Sequence, residues 1–412
     1  MRVTSAARLS PEVALLLLAM LMALQPISTD LYLPALPTLT SALESTVAGA
    51  QLTLGVLSLA FGVAQMGCGP LVDRHGRRPV LVGGLSLYVG ASLASAAAPN
   101  MAWLIAARGA QGAALAAAIV GARAILRDLY DPEHGARVLA RALTGLGIVA
   151  VLSPIVGGAV VAAAGWRATM LLIAAFGATA LWLVVTRYRE TTPHRNTEAT
   201  QLRPMLATWR RILRNGTFLR FAALAAATYS GVYAYLSGAT FVLVAQWGVS
   251  RPYFGVMMGI VAGAFIAGTI VCRRLVPRIG VTRTVSVGAM FSFGSGALMF
   301  ALSLAGVRNP WAIILPQCLY LFAHGLHQPC ALTGAVGPFP GNAGAAAALT
   351  GFLTIVVAIP VGFLLGLALI DVSWPLPLTV FLSGTATAVA ATTIARRESR
   401  TAADGSGKRG EA

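Results

Sequence analysis

Long apolar runs alternate with short polar breaks along almost the whole chain. Twelve runs stand out, at roughly 12–35, 48–70, 79–98, 101–124, 139–162, 167–187, 219–245, 253–272, 283–304, 310–334, 343–369 and 374–395. Each is long enough to cross about 30 Å of hydrocarbon at about 1.5 Å per residue of helix. The pattern predicts an all-α membrane protein with twelve transmembrane helices. The first run is followed by no small-residue cleavage site, and many further runs come after it. It therefore reads as the first span rather than as a signal peptide.

Composition agrees. The 412 residues are 57% hydrophobic and 10% charged, with mean hydropathy +0.77, whereas soluble domains carry about a quarter charged residues. The net charge of +17 invites a nucleic-acid reading. The arginines argue against it, because they lie in short clusters between apolar runs rather than along one face. Arg2 and Arg8 precede the first span, Arg74, Arg77 and Arg78 follow the second, and Arg123, Arg127, Arg137 and Arg141 bracket the break after the fourth. Arg187 to Arg220 fill the break after the sixth, Arg273, Arg274, Arg278 and Arg283 lie between the eighth and ninth, and Arg396, Arg397 and Arg400 follow the twelfth. All fall on one side, and the other side holds only Arg167, Arg251 and Arg308. The positive-inside rule then makes both termini cytoplasmic. Cys68, Cys272, Cys318 and Cys330 are scattered singly without metal-ligand spacing, so packing is their expected role.

One polar, basic segment, Tyr188 to Arg220 with Pro193 and Pro204, divides the chain. The expected organisation is an N-terminal six-helix bundle at 1–187, a cytoplasmic linker at 188–218, a C-terminal six-helix bundle at 219–395 and a disordered tail at 396–412. A degenerate repeat supports two halves: Leu275–Gly280 echoes Leu71–Gly76 in the equivalent loop, with Pro277 in place of Asp73.

The densest chemistry is Gly69 to Val80, GPLVDRHGRRPV, between the second and third spans. Its glycines allow close helix approach, Pro79 suits a first helical turn, and Asp73 can pair with an arginine or face a helix N-terminus. Gly69, Leu71, Asp73, Arg74, Gly76, Arg77 and Arg78 resemble motif A of the major facilitator superfamily, G-x-L-x-D-R-x-G-R-R. The resemblance implies two pseudo-symmetric six-helix bundles, transport by alternating access, and a gating role for these residues. The bland reading is a generic positively charged loop.

Ionisable groups at membrane depth are costly and so are functional candidates. Asp30 lies in the first span, in Ser28–Pro37. Out of water a carboxyl group favours its neutral form, so a carboxyl that alternates between states can couple proton entry to substrate exit. The competing reading is a wet, structural Asp30 near the outer end of that helix. Arg108, the basic residue deepest in a span, stands in Ala107–Gly112 and resembles motif B, R-x-x-Q-G, as Arg108, Gln111 and Gly112. Its natural partner is Asp30. Arg127 and Asp128, at the cytoplasmic end of the fourth span, either join the motif A charges or form a solvated loop face. In the fifth span Pro154, Gly157 and Gly158 resemble motif C, the antiporter signature, with Gly147 at the earlier glycine and Ser153 where a glycine is usual. The competing reading is ordinary glycine packing.

Tyr229 and Tyr233, four residues apart, share a face that lines a cavity or packs in a core. His324, His327 and Gln328 precede Pro329. Two histidines three apart with no acid nearby make a poor metal site, and a pore-lining polar patch is expected. With Ser28–Pro37 (including Tyr32), Arg127–Tyr130 and Gln328–Phe352, the chain resembles the bicyclomycin and chloramphenicol resistance (Bcr/CflA) subfamily of drug:proton antiporters. His75, where an aromatic or aliphatic residue is usual, departs from that pattern.

The resemblance implies an exporter that exchanges protons for small hydrophobic or amphipathic compounds and works as a monomer. Tyr32, Tyr229, Tyr233, His324 and Gln328 are the candidate substrate contacts, and Asp30 with Arg108 the proton-coupling pair. No cofactor, metal, nucleic acid or catalytic residue is expected. The alternative is proton-coupled export or import of a metabolite such as a sugar or amino acid. A membrane enzyme or sensor would need a nucleophile with a base, a metal cluster or a soluble domain. A channel would need repeated filter residues.

Overall fold

Helices follow from the apolar runs, and their starts from the residues just before them. The structure, a computed structural model, describes residues 11–130, 132–191, 202–339, 342–369 and 372–407. In chain order the helices are α1 (Pro11–Thr29), α2 (Leu36–Ala42), α3 (Val47–His75), α4 (Arg77–Ala96), α5 (Met101–Leu129) and α6 (Pro132–Arg187). They continue as α7 (Leu202–Leu213), α8 (Gly216–Thr240), α9 (Arg251–Leu304), α10 (Trp311–Val336), α11 (Ala343–Ala368) and α12 (Pro375–Gly407). Capping side chains set several starts: Thr46 accepts from Gly49 N–H at 3.1 Å, Asn100 from Trp103 N–H at 2.9 Å, and Asn215 from Thr217 and Phe218 N–H at 2.9 and 3.0 Å.

The expected twelve spans are recovered once two long runs are divided. α6 holds the fifth and sixth, broken at Gly165 (φ 77°), and α9 holds the eighth and ninth, broken at Gly280 (φ 79°). Positive φ is open to glycine without penalty, which is why the chain reverses there without a polar loop. Gly76, between α3 and α4, has φ 98°, so the two members of the repeat seen in the sequence end on the same backbone state. The short α2, with the 3₁₀ turn Leu33–Ala35 before it, extends α1 to complete the first span.

The described residues form two compact units, one of 1–205 with 250–259 and the other of 206–249 with 260–412. In the first, α5 packs on α3 and α4, and α6 on α1 and α4. In the second, α8 packs on α10, α11 and α12. Small apolar side chains such as Ala289, Ala331 and Ala391 fill its core beside Leu224, Val285 and Leu326. In lipid such packing, rather than hydrophobic exclusion, holds helices together.

Two expectations about the connecting segments need correction. The linker expected at 188–218 contains α7, and residues 192–201 lie outside the described residues. α12 runs on to Gly407, where a disordered tail from 396 was expected; 408–412 lie outside the described residues. Once a span has nucleated a helix, each further residue adds a hydrogen bond without a new nucleus, so polar residues continue it.

Candidate functional site

In the first unit, the end of α1 creates the central feature. α1 stops at Thr29, ahead of Pro34 and Pro37, so its last carbonyls have no helical N–H to accept. Asp30 N–H still reaches the Pro26 carbonyl at 2.8 Å. The Ser28 carbonyl takes Arg108 instead, from Nη2 at 2.7 Å. Nη1 of Arg108 donates to Gln111 Oε1 at 2.6 Å, and its guanidinium lies 4.3 Å from the centre of the Tyr32 ring. Gln111 in turn donates to Ser92 Oγ at 2.7 Å. Ser28 Oγ pairs with the Tyr88 hydroxyl at 2.6 Å, and the Tyr32 hydroxyl with Thr53 Oγ1 at 2.7 Å. Arg108, Gln111, Tyr32 and Tyr88 are all fully buried.

Asp30 is not the partner of Arg108. Ion pairs among the described residues join Arg77 to Asp73 and to Asp128. The physical reason is the helix end: carbonyls at a C-terminus carry the negative pole of the macrodipole and stabilise a cation there. A ring face adds a cation–π contribution. Asp30 is half-buried in the turn that follows and accepts from Thr29 Oγ1 at 2.8 Å. Arg108 and Asp30 thus meet the same helix end, one through backbone carbonyl and the other by position in the chain. Arg108→Lys keeps the charge but loses the fork that reaches Gln111 and Ser28 together. Activity is expected to fall about tenfold or more, since a hydrogen bond to a charged group is worth about 1.5–3 kcal/mol. Full activity in that variant would remove the fork from the mechanism.

Of the motif C residues, Gly157 packs on the same turn. A methyl group on Gly157 would lie 2.1 Å from the Leu31 carbonyl oxygen, the residue after Asp30. Gly158 abuts the backbone of Arg251, within the same unit. Gly112 abuts the Leu57 carbonyl of α3, and a methyl there would lie 2.0 Å from it. Pro154 sits within α6, with its carbonyl oxygen against Gly255.

The motif A cluster is built around Arg77, which is 4% exposed. Its Nε donates to Asp128 Oδ2 at 2.8 Å and its Nη2 to Oδ1 at 3.3 Å, while Asp73 Oδ1 lies 3.3 Å from Nη2. Asp128 joins the network, as one of the two readings of the sequence expected. The side chain of Arg127 lies outside the described residues. Asp73 is the weaker partner, with its side chain 43% exposed against 7% for Asp128. Arg74 is exposed. Gly69 does not serve close packing, because a methyl group there would meet nothing within 4 Å.

Sequence reasoning missed Glu190. Its carboxylate accepts from the backbone N–H groups of Arg77 and Arg78, both at 3.0 Å, and so caps α4 from across the unit. Arg78 answers by donating to the Tyr188 and Val185 carbonyls, both at 3.0 Å. Thr191 Oγ1 contacts Asp128 Oδ2 at 3.2 Å and the Tyr188 hydroxyl at 2.7 Å. Burial keeps the Tyr188 phenol above its usual pKa and therefore protonated. The available signal was an acidic residue within the arginine-rich segment, which holds Glu190 and Glu198. Glu190→Ala is expected to cost about 1 kcal/mol, the typical worth of a charged cap. A lower thermal unfolding midpoint of the purified protein checks it, and an unchanged midpoint speaks against the cap.

In the second unit, Thr228 Oγ1 lies 3.3 Å from Nδ1 of both His324 and His327. Nε2 of His327 meets the Val285 carbonyl at 3.1 Å, so that nitrogen carries the hydrogen and Nδ1 accepts from Thr228. His324 then donates Nδ1–H to the same hydroxyl. The chain ends on a peptide carbonyl, so His327 is a helix tie. His324 also stacks on Phe265 at 5.6 Å and lies 6.0 Å from Tyr229, whose ring is 6.3 Å from Tyr233. Tyr233 is buried and Tyr229 half-buried. Gln328 is exposed, so of the candidate substrate contacts in this unit Tyr229, Tyr233 and His324 are the ones brought together, and of the expected polar patch His324 and His327 share Thr228. No group of three or more metal-ligating side chains occurs among the described residues.

Twelve apolar spans in two helical units, with one charged hub at a short turn and a guanidinium buried among neutral groups, define a polytopic membrane transporter. The sequence pattern of the Major Facilitator Superfamily matches residues 18–359. The chain belongs to that superfamily and moves a small-molecule substrate across a bilayer; it is not an enzyme. It is 29% identical to "Multidrug resistance protein D" of Escherichia coli over 341 residues, 82% of this chain and 84% of the relative. It is 28% identical to "Chloramphenicol resistance protein" of Pseudomonas aeruginosa over 307 residues, 74% of this chain and 71% of the relative. Among solved structures, the fold matches the E. coli xylose transporter XylE in a partially occluded inward-open conformation. The TM-score is 0.72 at 14% identity, covering 94% of this chain and 99% of that one.

Proposed function

We propose that this protein exports small hydrophobic or amphipathic compounds, drugs among them, in exchange for protons. Relatives named for multidrug and chloramphenicol resistance, similar over most of both chains, support the substrate class. Motif C, with Gly157 packed on the turn beside Asp30, supports export. The observation that carries the coupling is the broken end of α1, where Asp30 follows the carbonyl held by the buried Arg108. Protonation of Asp30 shifts the balance between two access states, and the motif A cluster, centred on Arg77, holds one of them. Tyr229, Tyr233 and His324, together in the second unit, contact substrate. The protein works as a monomer in the bacterial inner membrane, and the arginine distribution supports cytoplasmic placement of both termini.

A susceptibility panel in a host lacking its own efflux pumps tests the reading, with and without a protonophore. Raised resistance to several amphipathic drugs that the protonophore removes is the expected result. Uptake of a labelled sugar or amino acid by energised cells, with no change in resistance, would replace it with the metabolite reading.

A further inference from the structure

α7 reads LRPMLATWRRIL and carries its apolar residues at 202, 205, 206, 209, 212 and 213. That is one stripe of a helix of about 3.6 residues per turn. Among the described side chains, the fold covers one flank of the stripe and leaves the other exposed. Ile212 is fully buried, and Met205 and Trp209 are half-buried. Leu206 and Leu213, on the other flank, are 55% and 38% exposed. Going around the helix from these leucines come Arg210, Arg203 and Arg214, all exposed, within an arc of about 100°. None of the three forms an ion pair among the described residues, and no acidic residue occurs from 202 to 220. Arg211, on the far side, donates to the Asn342 side-chain oxygen and fixes the rotation of the helix. α8, which holds the seventh apolar run, begins at Gly216, so α7 ends within three residues of the start of that helix.

Two exposed leucines edged by three guanidiniums that form no ion pair among the described residues, on a helix tied to the start of a span, match one surface. We propose that α7 lies on anionic phospholipid, with Leu206 and Leu213 in the acyl boundary and Arg203, Arg210 and Arg214 on headgroup phosphates. The chain passes from one compact unit to the other inside this helix, between Met205 and Leu206. Lipid charge therefore acts on the segment that joins the two units.

The full-length protein in phosphatidylcholine nanodiscs, doped with either dibrominated phosphatidylglycerol or dibrominated phosphatidylcholine, provides the test. The Trp209 signal is read as the difference between wild type and Trp209→Phe. The glycerol lipid is expected to quench Trp209 at far lower mole fraction than the choline lipid. The preference should fall about fivefold per arginine replaced, and of order a hundredfold in Arg203→Gln/Arg210→Gln/Arg214→Gln. The Arg→Lys triple should retain it, and added salt should weaken it. Equal quenching by both lipids, or a preference that survives the glutamine triple, overturns the proposal. The thermal midpoint gives a second reading that needs no change at Trp209. Phosphatidylglycerol should raise it for wild type and for the equally neutralised Arg273→Gln/Arg274→Gln/Arg278→Gln, but not for the α7 triple. A rise shared by all three, or by none, also overturns it.

Discussion

Asp30→Asn is expected to reduce proton-driven export to the background of vesicles without protein, while substrate binding persists. Asparagine keeps the size and the hydrogen bond from Thr29 Oγ1 but holds the position neutral at every pH. A transporter whose access states are balanced by that charge then loses the difference a proton gradient acts on. Wild-type export should rise as the side that supplies protons is acidified, and the variant should show a flat profile. The geometry makes the test sharp. Asp30 follows directly on the helix end that holds Arg108, yet it carries none of the hydrogen bonds that bind Arg108 in place. Loss of coupling with an unaltered unfolding midpoint is therefore expected. If the Asp30→Asn variant still confers resistance and still responds to the gradient, Asp30 returns to a wet structural role.

Gly157→Ala should lower the unfolding midpoint and impair export together. A single methyl group would lie 2.1 Å from the Leu31 carbonyl oxygen. A backbone oxygen cannot swing aside like a flexible side chain, so α6 or the turn after α1 must move. Overpacking of this kind costs about 1–3 kcal/mol. The moved segment is the one that holds Asp30, so the functional loss should exceed what stability alone explains. Gly268→Ala in the second unit supplies the comparison, with a methyl group 2.1 Å from the Phe322 carbonyl oxygen. It should destabilise to a similar degree and leave the pH profile of the remaining export unchanged. If Gly157→Ala folds and exports like wild type, the close approach of α6 to that turn plays no part in transport.

Hydropathy and arginine placement carried the architecture because a bilayer imposes length and sign on each segment. Although Arg77 finds Asp128 and Arg78 finds Tyr188 far along the chain, the Gly69–Val80 pattern carried the family where its residues answer to local backbone. Gly76 with its positive φ is such a case. α7 was visible as a six-residue apolar stripe, but its charge and prolines read more strongly as a linker. Boundaries failed where polar residues continue a helix already begun, as in α12.

Partner choice was another matter. A deep arginine and a deep carboxyl in one half suggest a pair, and sequence lists no competing acceptor. The competitor is the Ser28 carbonyl, a group every residue owns and that becomes available only where a helix stops. Glu190 lies 113 residues from the N–H group it caps, and Thr228 bridges two histidines from another helix. The chain alone thus settled how many times it crosses the membrane and which superfamily pattern it carries. Tertiary structure alone decided which polar groups satisfy one another, because in a dry interior each buried donor takes whatever acceptor folding brings within reach, backbone included.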